Sequence, residues 1–263
     1  MQSMELSLVI FTVLSQVAIG MTFMRALGTV SGPDEGDAKK EWQMVAGLMV
    51  VGMIASLFHL GHPEGAINAI AHLNKAWLSR EVMFAGAFAG LAVLAAVLSG
   101  SEGKPVFAWG GVVLGLGLIL SAGMTYAPPA LPAVNNALPA LFFLISAVML
   151  GAGFASWFAG EARQPMLARV FTSAAVVGLV LYLAAPCIWL SGSTVMRMTA
   201  EAWLGSGFYW AHIGVLIVSL GVIWKTRTIP VWLPVLALAG ELLGRAGFFA
   251  DTIHTAANMG GLY

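Results

Sequence analysis

The sequence predicts an all-α, polytopic integral membrane protein: one membrane domain over residues 1–263, with eight transmembrane helices arranged as two four-helix bundles. Three observations carry this. First, 59% of the 263 residues are hydrophobic and only 9% are charged. Soluble proteins run near roughly 25% charged, so this chain cannot cover a water-facing surface. Second, mean hydropathy is +0.89. Third, apolar runs recur at the length of a bilayer span. At roughly 20 residues per span with short connectors, the chain has room for about eight. The same composition excludes disorder, a nucleic-acid-binding protein and a disulfide-stapled secreted domain. Lys+Arg and Asp+Glu number 12 each, so no net field draws an anionic partner. The single cysteine, Cys187, permits no internal disulfide and no thiolate metal site.

The spans follow in order, separated by helix breakers. Span 1 is Leu6–Leu27. Met1–Glu5 before it lacks the positive stretch of a cleaved signal, and the positive residues come after the apolar run instead. Gly32-Pro33 precedes span 2, Trp42–Leu60, and Gly61-His62-Pro63 separates that from span 3, Val82–Leu98. Span 4, Val106–Met124, gives way to Pro128-Pro129 and Pro132. Pro165 divides span 5, Leu138–Phe158, from span 6, Leu167–Leu190. Pro230 divides span 7, Phe208–Trp224, from span 8, Val231–Phe249. Each run reads as a helix because backbone in lipid must satisfy its own hydrogen bonds. A β-barrel would alternate in short strands, which these continuous runs do not. All nine tryptophans lie at or near span ends, as interfacial belts predict.

An even span count places both termini on one side, face A. Connectors on the opposite side, face B, hold Arg25, Lys39, Lys40, Lys104, Arg163, Arg169, Lys225 and Arg227, against Lys75, Arg80 and Arg197 on face A. The positive-inside rule then makes face B cytoplasmic and both termini extracytoplasmic. The face A connectors Gly61–Ser79, Thr125–Ala137 and Ser191–Gly207 are long and nearly uncharged. They suit a docking platform and ordinary connectors equally. In the first, Ile67, Ile70, Ala71 and Trp77 share one helical face, which predicts a short interfacial amphipathic helix. Gly86/Gly90, Gly111/Gly115 and Gly240/Gly244 read as helix-packing contacts.

Ionisable groups within spans are costly and are candidates for function. His59 ends span 2, Arg80 and Glu81 open span 3, His212 lies one turn into span 7, and span 8 carries Glu241 and Arg245. All of them fall in the face A half; Arg25 on the other half has no comparable company. Each also has a plainer reading. Glu241 and Arg245, four apart with Glu first, suit a self-neutralising helical pair. Arg80 suits snorkelling to the headgroups, and His212 a helix-packing hydrogen bond. Glu81 is harder to dismiss, because a carboxylate at a span start needs a partner; His59, Arg80 and Arg245 are the nearest.

One His and one Glu at a membrane boundary match quinol oxidation. A quinol is a membrane-soluble diol that gives up two electrons and two protons. An imidazole takes one proton near its working pKa and a carboxylate takes the other. Composition alone does not select this over a proton-coupled transporter.

The stretch Phe58-His59-Leu60-Gly61-His62-Pro63, then Ala66-Ile67-Asn68-Ala69 and Leu78-Ser79-Arg80-Glu81, resembles the membrane-anchor subunit of dimethyl sulfoxide reductases. Leu8-Val9-Ile10-Phe11-Thr12 and Gly240-Glu241-Leu242-Leu243-Gly244-Arg245, followed by Phe248 and Phe249, fit the same pattern. Between Gly100 and Trp224 the match is only one of hydrophobic helices. The resemblance implies a haem-free anchor in the bacterial cytoplasmic membrane that binds and oxidises menaquinol. It implies two partners: an iron–sulfur subunit with four clusters, and a molybdopterin catalytic subunit that reduces a terminal acceptor in anaerobic respiration. The metal centres would belong to those partners. The quinol-site His falls on His59 and the essential Glu on Glu81; Arg245 and Glu241 would line or support the pocket. Arg80 departs from the family pattern, where that position is often uncharged. Without haem there is no relay across the bilayer, so the iron–sulfur partner is expected on face A, beside the polar cluster. Two alternatives stay open. A haem b cytochrome needs paired axial histidines, which only His59, His212 and His254 offer. A transporter on Glu81, Glu241 and His59 would more commonly place its site at the midplane.

Overall fold

The computed structural model describes residues 3–30, 36–58, 63–98 and 104–256, with side chains described except at 3–5 and 63–67, and is all-helical there. The described residues form nine α-helices. They are α1 (Ser3–Val30), α2 (Ala38–Leu57), α3 (Trp77–Leu98), α4 (Pro105–Thr125), α5 (Leu138–Ala155), α6 (Gln164–Leu190), α7 (Thr194–Gly205), α8 (Gly207–Thr226) and α9 (Leu233–Asp251). Seven of them are long and apolar enough to cross a membrane. The 20-residue α2 is not among the seven: Lys39, Lys40 and Glu41 fill its first turn and lower its hydropathy.

Local chemistry fixes the ends. Asp37 caps α2 by accepting a hydrogen bond from Lys40 N at 3.1 Å. Pro105 sits at the start of α4, where a missing N–H costs nothing. Arg227 closes α8 in the left-handed region, φ 61°.

Two connectors differ from expectation. Ser191–Gly207 is not an extended loop but contains α7. Its Val195, Thr199, Ala200 and Trp203 are buried, spaced to share one helical face. The segment is too short and polar to register as a span, and its amphipathic period is the signal that finds it. The expected amphipathic helix is a 3₁₀ helix over Pro63–His72. α3 then begins at Trp77 rather than Val82, so Arg80 and Glu81 lie inside a helix.

α1 and α2 run antiparallel. At the α1–α2 contact, Arg25 meets Glu41 while Gly52 faces Phe11 and Leu14. α1 is the hub, packing on α2, α4, α5 and α9. Further contacts join α2 to α3, α3 to α4, α5 to α6, α6 to α8 and α8 to α9. We call face A the end of the bundle at which α1 begins. α1 crosses α5 with backbones in contact, through Gly20, Ala147 and Gly151. Of the predicted packing glycines, Gly111 and Gly115 face Thr22 and Ile19 of α1, and Gly240 and Gly244 face Val215 and His212 of α8. A Cβ on Gly86 or Gly90 would meet nothing within 4 Å among the described residues, so neither glycine serves a helix contact there. Trp42, Trp189 and Trp203 are 2% exposed or less and fill the core.

Arg25 does have company. Its guanidinium lies 3.3 Å from Glu41, and both side chains are buried. Arg163 reaches the same end of α1, donating to Met24 O at 2.8 Å, its guanidinium lying against Gly28. A hydropathy reading places Glu41 and Arg163 in loops; the fold turns both inward over α1. A buried ion pair that loses one partner leaves an uncompensated charge. Glu41→Ala is therefore expected to lower stability by about 3 kcal/mol, measured as a lower unfolding temperature in detergent.

Candidate functional site

Three helices bring polar side chains together in the apolar interior. Arg245 of α9 is 1% exposed. Its Nη2 donates to Gln16 Oε1 of α1 at 3.0 Å and to Ser146 Oγ of α5 at 3.3 Å. Ser146 in turn donates to Glu241 Oε2 at 2.5 Å. The self-neutralising pair read from sequence is therefore not a direct one. The Ser146 hydroxyl stands between carboxylate and guanidinium and ties α5 into the arrangement. The guanidinium also lies over the Phe143 ring, 4.1 Å from its centroid. Its Nε and Nη1 have no partner among the described residues. Burial without full pairing is costly and marks a group kept for a reason other than stability.

Glu81 lies one turn into α3 and is 3% exposed. None of its expected cationic partners pairs with it among the described residues. Its carboxyl instead contacts the side chain of Thr125, at the end of α4. Its Oε2 is buried without a hydrogen-bond partner among the described residues. Arg80 turns the other way. It donates to Leu73 O at 2.8 Å and Asn74 O at 3.2 Å, and covers the Trp77 ring at 4.2 Å. It braces the connector into α3. His59 lies outside the described residues.

His212 of α8 is 1% exposed. Its Nδ1 lies 2.9 Å from Gly240 O, which makes Nδ1 the donor. Nε2 is buried without a partner among the described residues, and the ring packs on Tyr182 at 4.3 Å. A Cβ on Gly244 would come within 2.8 Å of the imidazole, so glycine there is what admits the ring. His212 thus does the packing work expected of it, within an aromatic cluster that includes Phe142, Tyr182 and Trp203.

A narrow cleft between α1, α4 and α5 borders this network, lined by Gln16 and Phe143 together with Phe11, Thr12, Leu118 and Ala122. Sequence reasoning misses Gln16 and Ser146. Uncharged polar residues in apolar helices are common, and nothing local says which of them meet a buried arginine.

The arrangement offers an open carboxylate oxygen on α3, near face A, and a guanidinium held by α1, α5 and α9. Comparisons with known proteins bear on what it does. A family model described as DMSO reductase anchor subunit (DmsC) matches residues 1–250. The anaerobic dimethyl sulfoxide reductase chain YnfH of Escherichia coli K12 is 29% identical over 187 residues, 67% of this chain and 65% of that one. A second anaerobic dimethyl sulfoxide reductase chain, from Haemophilus influenzae, is 30% identical over 160 residues, 56% of each protein. The matched stretches thus span less than two thirds of both relatives.

Proposed function

Because the chain belongs to the family of DMSO reductase anchor subunits, we propose that it binds and oxidises menaquinol and passes the electrons to an iron–sulfur subunit. That subunit, with four clusters, feeds a molybdopterin subunit that reduces the terminal acceptor. The anchor itself works without haem, in the bacterial cytoplasmic membrane. Its eight spans are the seven apolar helices and α2, which returns the chain antiparallel to α1. In this reading they form two four-helix bundles, α1–α4 and α5, α6, α8 and α9, joined through the α1–α5 crossing. Both termini are extracytoplasmic.

The observation that carries the reading is the buried, unpartnered Oε2 of Glu81 near face A. A carboxylate desolvated there, short of a hydrogen bond, suits a hydroxyl donor arriving from the membrane. In this reading quinol becomes quinone, releasing two electrons and two protons. His59 takes one proton and Glu81 the other. Arg245 and Glu241 line or support the pocket, with His212 supporting α9 through Gly240 O. Electrons have no carrier across the bilayer, so the partner's nearest cluster docks on face A.

Purification in mild detergent tests this. Iron–sulfur and molybdenum subunits are expected to copurify, with no Soret band from the anchor. A Soret band would favour the haem b reading. Recovery of the chain alone, from cells that express the other subunits, would count against an anchor role.

A further inference from the structure

The end of α4 lies between two groups of the polar site. Thr125, its last residue, contacts the Glu81 carboxyl of α3. Tyr126 is the next residue along the chain. Its ring is held edge-on between Phe143 of α5, at 5.8 Å, and Phe249 of α9, at 5.2 Å. Phe143 is the ring that Arg245 covers. Tyr126 is thus fixed by ring contacts from two helices, while no hydrogen bond from its hydroxyl is found among the described residues. In the same neighbourhood Glu81 Oε2 lacks a donor. A phenol held in place with its hydroxyl free, near a carboxylate short of a donor, makes a complementary set for a third group that both donates and accepts.

We propose that Tyr126 is a substrate-binding residue whose hydroxyl donates a hydrogen bond to the quinol oxygen that in turn donates to Glu81. This rests on the quinol-site reading above and adds to it the residue that holds the oxygen in line. The ligand oxygen accepts from Tyr126 and gives its hydrogen to Glu81 Oε2. One hydroxyl then satisfies both open groups. As the proton passes to Glu81, the oxygen becomes a quinone carbonyl, which still accepts from Tyr126. The contact exists for both substrate and product, so its loss falls on binding more than on turnover.

Tyr126→Phe tests it, because phenylalanine keeps the ring contacts with Phe143 and Phe249 and removes only the hydroxyl. The assay uses the intact membrane-bound complex with a short-chain menaquinol analogue, and an artificial donor that bypasses the anchor as control. Tyr126→Phe is expected to raise KM for the quinol about tenfold, with kcat and artificial-donor activity near wild type. An unchanged KM overturns the proposal. So does a fall in kcat at constant KM, which would mean that the hydroxyl acts on Glu81 rather than on the quinol. Glu81→Gln, run alongside, separates the two readings. Quinol oxidation that survives Glu81→Gln sinks the assignment of Glu81. Loss with Glu81→Gln and wild-type kinetics with Tyr126→Phe sinks only the role of Tyr126.

Discussion

Gly20→Ala is expected to keep the chain from accumulating as a folded membrane protein. At the α1–α5 crossing a Cβ on Gly20 would fall on the Ala147 carbonyl, and one on Gly151 on the backbone of Gly20. Backbone cannot swing aside as a flexible side chain does, so the two helices would have to part. α1 is the hub of the bundle, and its Val17, Ile19 and Met21 are 1% exposed or less. Parting it from α5 opens the core and pulls Gln16 away from Arg245. The cost lies at or above the upper end of the roughly 1–3 kcal/mol typical of overpacking. Gly86→Ala is the matched control. Open space surrounds that position, and removing a mid-helix glycine gains about 0.5–1 kcal/mol. Membrane yield and thermal stability in detergent should fall steeply for the first and hold or rise for the second.

The helices are largely legible in the sequence because hydropathy at this length admits few other structures. The helix contacts are not. Gly86/Gly90 and Gly111/Gly115 carry the same spacing, yet one pair faces open space and the other faces α1. The Gly20–Gly151 contact joins glycines on separate spans and leaves no local pattern. The site divides along the same line. Glu81, Glu241, Arg245 and His212 stand out because charge or imidazole in an apolar helix is rare. Their partners do not. Gln16 and Arg245 are 229 residues apart, and only the packing of α1 on α9 brings them together. Tyr126 sits in a connector as the sequence reads it, where a tyrosine needs no explanation. Glu41, on the opposite face, escapes notice for the same reason.

In the proposed function Glu81 carries the largest expected consequence. Glutamine keeps its size and one acceptor but cannot take a proton, so the variant is expected to fold and assemble while losing the step. Loss of a positioned acid–base group typically costs about 10²–10⁴-fold in rate. The effect should be confined to quinol as donor, because in the proposed complex the partner subunits hold the remaining electron path. The decisive comparison is made in membranes carrying the Glu81→Gln complex: acceptor reduction driven by a menaquinol analogue against that driven by an artificial donor. Quinol oxidation at Glu81 predicts a loss of about 10²-fold or more with quinol and wild-type rates with the artificial donor. Quinol-driven rates equal to wild type, or an equal loss with both donors, would contradict it.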